Sequence, residues 1–184
     1  MRQEFDKSGR SDEFKIERLV PTKSCSGFYC SITEYNDYLV DDALRSMNDH
    51  IALTWLLTER ATGGIAAYMS LIMDAIKLSF TEKELHHLNY PFRTIPAMKI
   101  AKLAVDRTFS QKYKGIGSFM INSAERLAWA CNTDYCACRF LTADADLEHD
   151  EGVISFYEKN GFIRNNEIYN KNRKTVSMRK DLYR

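Results

Sequence analysis

The chain is 184 residues long with a mass of 21.3 kDa, 45% hydrophobic and 28% charged, the composition of one globular domain with a sizeable core. Lys and Arg number 26 against 25 Asp and Glu, so bulk charge offers no hold on a nucleic acid and any such contact has to be a local patch. No apolar run approaches the roughly 18 residues of a membrane span, and the pattern excludes collagen, coiled coil and a disordered chain.

The first thirteen residues carry seven charges and no apolar stretch, which is not a secretory leader. Residues 1–12 are expected as a flexible polar tail and 13–184 as the folded domain. Phe14, Lys15, Ile16 and Glu17 alternate as a half-buried strand does, and Pro21 ends it. Ser31 is the expected cap of a helix over 32–47, in which Ile32, Tyr35, Leu39 and Ala43 recur at helical spacing. Two strands follow, 51–58 and 65–73, joined as a hairpin in which Gly63 and Gly64 supply positive φ. Thr81 to Glu84 reads as a short capped helix, and the two prolines of 89–96 favour an extended loop. A strand over 97–105 then runs into the turn 106–117 and a long helix carrying Ile116, Phe119, Met120, Ala124 and Leu127 on its apolar side. A strand at 136–144, a helix opened by Asp150 and stopped by Gly161, and strands at 162–163 and 174–182 complete an α/β (α+β) domain with a mixed sheet.

The five cysteines, at 25, 30, 131, 136 and 138, are an odd number without CxxC spacing. They read as free thiols of a cytoplasmic protein without a metal site, with Cys136 and Cys138 buried on one strand face.

Two segments carry candidate chemistry. Gly115 and Gly117 fall at one strand-to-helix junction beside Lys112 and Lys114. Glycines there let backbone approach a ligand, and the unpaired N–H groups of a first helical turn favour an anion. The segment is either a pyrophosphate cradle or a tight turn with solvated lysines. It is neither a P-loop, which needs Gly-Lys-Ser/Thr, nor a dinucleotide fingerprint, since position 120 is Met. The second segment is Tyr157-Glu158-Lys159-Asn160-Gly161-Phe162. Tyr157 either packs its helix on the sheet or gives up a phenolic proton, whose ordinary pKa of about 10 suits a departing thiolate.

Together, the Lys112-Tyr113-Lys114-Gly115-Ile116-Gly117 loop, the preceding Leu103-Ala104-Val105-Asp106 and the later Tyr157 motif resemble the GNAT superfamily of acetyl-CoA-dependent N-acyltransferases. The likeness covers the chain from the Ser31 helix to the final strand. It departs from the family at Lys112, where Gln or Arg is preferred, in a longer turn after Val105, and at Asp150, where many members have Asn. The segments EYNDYLVDDAL and IPAMKIAKLAVDR are similar to the branch containing bacterial toxins that acetylate aminoacyl-tRNA.

The resemblance implies a single mostly antiparallel sheet flanked by helices, with a splayed strand pair receiving acetyl-CoA and no metal. It implies that backbone of Leu103, Ala104 and Val105 holds the pantetheine, that Lys112 through Ser118 holds the pyrophosphate, and that Tyr157 is the general acid. The implied acceptor is a small-molecule or protein amine, or charged tRNA with an antitoxin as partner; a homodimer is compatible, a membrane is not. Asp144, Asp146, Glu148, His149 and Asp150 either bind a cationic amine, with Asp144 and Asp150 foremost, or form an ordinary polar loop. Lys99, Lys102, Arg107, Lys112 and Lys114 either form a local patch for tRNA or divide between CoA phosphates and solvent.

Overall fold

The computed structural model describes residues 3–5, 12–149, 152–165 and 174–183. Its central element is a seven-stranded mixed sheet in the order β2-β3-β4-β5-β7-β9-β8. These strands are Phe14–Arg18 (β2), Leu53–Glu59 (β3), Ile65–Lys77 (β4), Thr94–Val105 (β5), Phe140–Asp146 (β7), Ile163–Arg164 (β8) and Thr175–Asp181 (β9). The β5–β7 pair is parallel, whereas β2–β3, β3–β4, β7–β9 and β8–β9 are antiparallel. A two-stranded parallel sheet joins Gln3–Glu4 (β1) to Tyr113–Lys114 (β6). Helices are Thr33–Asp37 (α1), Ala43–Asn48 (α2), Phe80–Leu85 (α3), Arg107–Lys112 (α4), Ile116–Asp134 (α5) and Val153–Lys159 (α6). This is the α+β architecture expected. Two compact units make up the chain, the described parts of Met1–Ile72 with Ala101–Ser123 and of Met73–Ile100 with Ala124–Arg184.

In the first unit, residues 3–5 depart from the polar tail expected at 1–12. Phe5 is buried, its N–H donates to Lys114 O at 2.7 Å, and its ring packs edge-on against Phe14 and Tyr113 and near Phe119. One aromatic side chain among seven charges outweighs the polar composition, because burying it stabilises by about 2 kcal/mol.

The expected helix over 32–47 forms in three pieces. Between α1 and α2 lies a π-helical turn, Tyr38–Asp42, closed by Ala43 N–H reaching Tyr38 O. Leu39 within it and Ala43 directly after it remain buried. The helix begins after Ile32, and Ser31 gives it no cap. Asn36 does the local anchoring instead: its carboxamide accepts from Cys30 N at 2.8 Å and donates to Cys30 O at 3.0 Å. The β3–β4 hairpin forms as expected, with one bulge between Leu57 and Thr58. Only Gly63 takes positive φ (74°). Gly64 is pinned by its N–H on Thr62 Oγ1, so the turn needs one left-handed residue rather than two.

In the second unit, β5 starts at Thr94, inside the segment expected as loop, because Pro96 still offers its carbonyl to Arg139 N at 2.9 Å. The strand expected at 136–144 begins at Phe140. Cys136 is exposed beside the end of α5, while Cys138 alone is buried and its thiol is pushed up to about 11 by that burial. The helix α3 begins at Phe80, one residue before Thr81, with Ser79 as its cap and Ser79 and Glu82 forming a reciprocal capping box.

Register puts Phe140, Thr142 and Asp144 on one face of β7 with Asp181, Arg179 and Ser177 of β9. That face carries a buried ionic network. Arg179 is 2% exposed, and its guanidinium donates to Glu82 Oε1 (2.8 Å), Asn165 Oδ1 (2.7 Å) and Arg164 O (3.2 Å). Its Nε–H points at His86 Nε2 (3.3 Å), which makes that nitrogen an acceptor and leaves Nδ1–H to donate to Asp181 Oδ2 at 2.8 Å. Arg139 completes the set, also 2.8 Å from Asp181 Oδ2. With His86 neutral, two guanidinium charges face two carboxylates, and the network balances.

Two outcomes follow from this network. Arg179→Met should lower unfolding free energy by about 3–5 kcal/mol, read by urea denaturation, because Glu82 then stays buried without its cation. Burial raises the Asp181 carboxyl, but bonds from Arg139, the Tyr183 N–H and His86 outweigh it and hold the pKa below the ordinary aspartate value. Its stabilisation is therefore fully present above about pH 4 and lost as pH falls through the lowered folded value. Urea midpoints measured from pH 5 down to pH 2 should fall less steeply in Asp181→Asn than in the parent chain.

Candidate active site

The turn from Val105 to Gly115 is longer than a simple loop because it contains a helix. Asp106, 4% exposed, caps α4 by accepting from Thr108 N (2.8 Å) and Phe109 N (3.2 Å). Its other oxygen accepts from Tyr29 N at 2.9 Å, and its own N–H donates to Ala66 O at 2.9 Å. One side chain thus fixes the end of β5, the start of α4 and the loop at Tyr29. The sequence signal was available in an Asp directly after a strand and before Arg107-Thr108-Phe109, but the expectation of a plain turn passed over it.

Lys112 is the last residue of α4. Its ammonium lies 3.8 Å from Glu59 Oε1 and 5.0 Å from the Tyr113 ring centre, and these contacts raise its pKa, the Tyr113 hydrogen bond most. Tyr113 is buried, its hydroxyl donating to Glu13 at 3.1 Å. Lys114 is exposed, with its carbonyl taken by Phe5 N–H. Gly115 adopts φ +87°, a conformation that disfavours side chains, and a Cβ there would meet Phe5 O at 3.3 Å. Phe119 N–H makes the first intrahelical bond of α5, to Gly115 O at 2.9 Å. The N–H groups of Ile116, Gly117 and Ser118 precede it and stand at the positive end of a 19-residue helix. Ile116 itself is buried and contributes backbone alone.

The strand before the turn has a second property. Register between β5 and β7 ends at Ile100↔Ala143, although β5 runs on to Val105. Among the described residues, Leu103, Ala104 and Val105 therefore lie on a stretch of β5 beyond its register with β7. Such an edge can hydrogen-bond the amides of an extended ligand. These features fit a pantetheine chain ending in a pyrophosphate.

In the second unit, Tyr157 is buried on α6, its ring edge-on to Phe156 (5.2 Å) and Phe162 (5.1 Å). The helix closes in a Schellman motif: Phe162 N–H returns to Tyr157 O (3.1 Å), Gly161 N–H to Glu158 O (3.0 Å), and Gly161 takes φ +84°. Tyr157, Gly161 and Phe162 are thereby one rigid structure, with the phenol ring held between two others.

The acidic candidates are mostly engaged. Asp144 pairs with Lys99 at 2.6 Å, Asp146 with His149 at 2.9 Å, and Glu148 with Lys174 at 2.5 Å. Asp150 lies outside the described residues. The five basic residues differ in their engagement. Lys99 belongs to Asp144, Lys102 sits 4.5 Å above the Tyr35 ring and Lys112 leans to Glu59, while Arg107 and Lys114 are exposed. Among the described residues no group of three or more His, Cys, Asp or Glu is arranged to hold a metal ion, and no helix is long and apolar enough to cross a membrane.

No protein-family profile matches the chain, and no curated protein sequence matches it. Solved structures do. AtaT complexed with acetyl-methionyl-tRNAfMet superposes with a TM-score of 0.74 at 19% identity, over 90% of this chain and 94% of that one. A tyrosine-to-phenylalanine mutant of KacT gives 0.73 at 18% identity, over 90% and 94%. AtaTR bound with AcCoA gives 0.70 at 19%, over 91% and 94%. The chain shares the fold of these structures.

Asp106→Ala should cost about 2 kcal/mol of stability, the loss of a cap plus a stranded Tyr29 N–H. Hydrogen exchange at Tyr29, Thr108 and Phe109 should accelerate together, whereas Asp106→Asn should retain most of the protection at Thr108 and Phe109.

Proposed function

We propose that the protein is an acetyl-CoA-dependent N-acetyltransferase of the bacterial cytoplasm whose acceptor is the α-amino group of aminoacyl-tRNA, with an antitoxin as its natural partner. The observation that carries this reading is a fold shared over nine-tenths of the chain with AtaT, whose complex holds acetyl-methionyl-tRNAfMet. A further structure has AtaT bound to the C-terminus of the antitoxin AtaR together with acetyl-CoA.

Acetyl-CoA supplies an activated thioester. In this reading, backbone of Leu103, Ala104 and Val105 pairs with the pantetheine, and one N–H of that strand polarises the thioester carbonyl. First-turn amides of Ile116, Gly117 and Ser118 take the pyrophosphate, with Lys112, Tyr113, Lys114 and Gly115 shaping the approach. As the new C–N bond forms and the C–S bond breaks, Tyr157 delivers its phenolic proton to the leaving sulfur, while the proton shed by the attacking amine passes to water, from which the phenol is restored.

The engaged carboxylates favour an α-amine over a lysine. With Asp144, Asp146 and Glu148 each facing a basic group, the acidic loop is poorly placed to supply a strong base. An α-amino group, with an ordinary pKa of about 8, is already partly neutral near pH 7.5, whereas a lysine near 10.4 is not.

Radiolabelled acetyl should pass from acetyl-CoA into a charged-tRNA fraction. Tyr157→Phe should lower turnover ~100-fold with acetyl-CoA affinity unchanged, and Gly117→Trp should abolish that affinity. Label absent from tRNA but present on small amines would move the acceptor and keep the enzyme class. Turnover unchanged in Tyr157→Phe would remove the tyrosine as acid.

A further inference from the structure

Three of the five cysteines lie between positions 131 and 138, at the end of α5 and the approach to β7, and the acetyl-transfer chemistry uses none of them. They differ in access. Cys136 is exposed and Cys131 half-buried, while Cys138, like Cys25 and Cys30 in the first unit, is buried. Burial pushes the Cys138 thiol up to about 11, and its S–H donates to Phe140 O at 3.4 Å, which keeps it protonated in the interior.

The backbone holds Cys131 and Cys136 together. α5 ends at Asp134, and the Cys131 carbonyl accepts from both Tyr135 N–H (2.9 Å) and Cys136 N–H (2.8 Å), so the chain folds back on the last turn of the helix. The Cys131 thiol in turn donates to Cys136 O at 3.4 Å. The Asn132 carboxamide fixes the residues that follow, accepting from Cys138 N–H at 2.5 Å and donating to Cys138 O at 2.7 Å.

We propose that Cys131 and Cys136 form a modification site, a dithiol that closes reversibly to a disulfide by exchange with a low-molecular-weight disulfide such as that of glutathione. The exposed Cys136 attacks first as its thiolate: its sulfur bonds to one sulfur of the small disulfide, the small S–S bond breaks, and one small thiolate leaves. Cys131 as thiolate then attacks the Cys136 sulfur and expels the second. Two electrons pass from the protein thiols to the small disulfide, and the two protons shed by the cysteines end on the two departing thiolates.

Geometry selects this pair. With Cys136 N held 2.8 Å from Cys131 O, ordinary bond lengths limit the separation of the two Cα atoms to about 6.7 Å, inside the roughly 4.4–6.8 Å that a disulfide spans. The Cys131 side chain already faces its partner. Closure asks for rotation of the Cys136 side chain, which is exposed and whose sulfur makes a long 3.8 Å contact with Ala137 O. Because the turn is hydrogen-bonded in the reduced chain, little backbone freedom remains to be lost when the bond forms. A reducing cytoplasm keeps such a pair open at rest, so closure reports a rise in disulfide poise.

The test uses the reduced full chain under native conditions. Dithionitrobenzoate should titrate two thiols quickly and the other three only after denaturation. After incubation with glutathione disulfide, acid quenching and alkylation in denaturant, the intact chain should carry three alkyl groups in place of five and no glutathione. Dithiothreitol should restore all five. Fragmentation of the tryptic peptide 127–139 should place the bridge between Cys131 and Cys136, with the alkyl group on Cys138. In Cys131→Ser the second thiol is missing, and Cys136 should accumulate the mixed disulfide with glutathione at least ~10-fold over the parent chain. Cys138→Ala should close as the parent does. A parent chain that stays reduced, that retains glutathione on Cys136 or that bridges to Cys138 overturns the proposal. So does a Cys131→Ser chain with no more mixed disulfide than the parent. Each readout is independent of acetyl transfer, so failure of the enzymatic assignment is separately visible.

Discussion

A guanidinium cannot be taken out of water without partners, and Arg179 is taken almost completely out of water. That constraint organises the second unit. Glu82 reaches the arginine only if α3 lies across the sheet face, and His86 accepts from it with its proton on the other nitrogen, which donates to Asp181. Asn165 and the Arg164 carbonyl draw the short β8 to the same point. Position 179 thus specifies where a helix, a loop and an edge strand must sit, which a purely apolar face of similar area would define less sharply.

The first unit solves a different problem, how to keep a glycine turn open to ligand without letting it collapse. Asp106 stiffens one side by taking three backbone N–H groups, from the Tyr29 loop and the start of α4, on one carboxylate. Phe5 stiffens the other by filling the space beside Gly115 and occupying the Lys114 carbonyl. Both supports act on backbone. The N–H groups at the start of α5 are thus aimed by residues that need not touch a ligand themselves.

Much of this was legible in the sequence. Alternation and turn chemistry located β2, the β3–β4 hairpin and β9, and the glycine spacing with the Tyr157 motif pointed to the fold found. What was not legible has physical reasons. Whether Phe5 is solvated or buried depends on a pocket built by Phe14, Tyr113 and Phe119, which local composition does not reveal. Arg179 reads as an exposed strand residue until Glu82, nearly a hundred positions earlier, is seen beneath it. Asn36, rather than Ser31, anchors the first helix because its carboxamide both donates and accepts at Cys30, a choice that helix-start rules do not rank.

The β1–β6 pairing has a consequence for how the chain matures. Gln3 pairs with Tyr113, so the support beneath the glycine turn joins strands 110 positions apart (113 minus 3), the second made long after the first. Until β6 and the start of α5 have left the ribosome, the Phe5 ring has an incomplete cavity and its backbone no Lys114 carbonyl to meet. The hairpin and the α1–α2 layer are local and can form early, but completion of this turn must wait for a long-range closure. A nascent chain would therefore acquire its ligand-gripping geometry late, after most of the unit around it has folded.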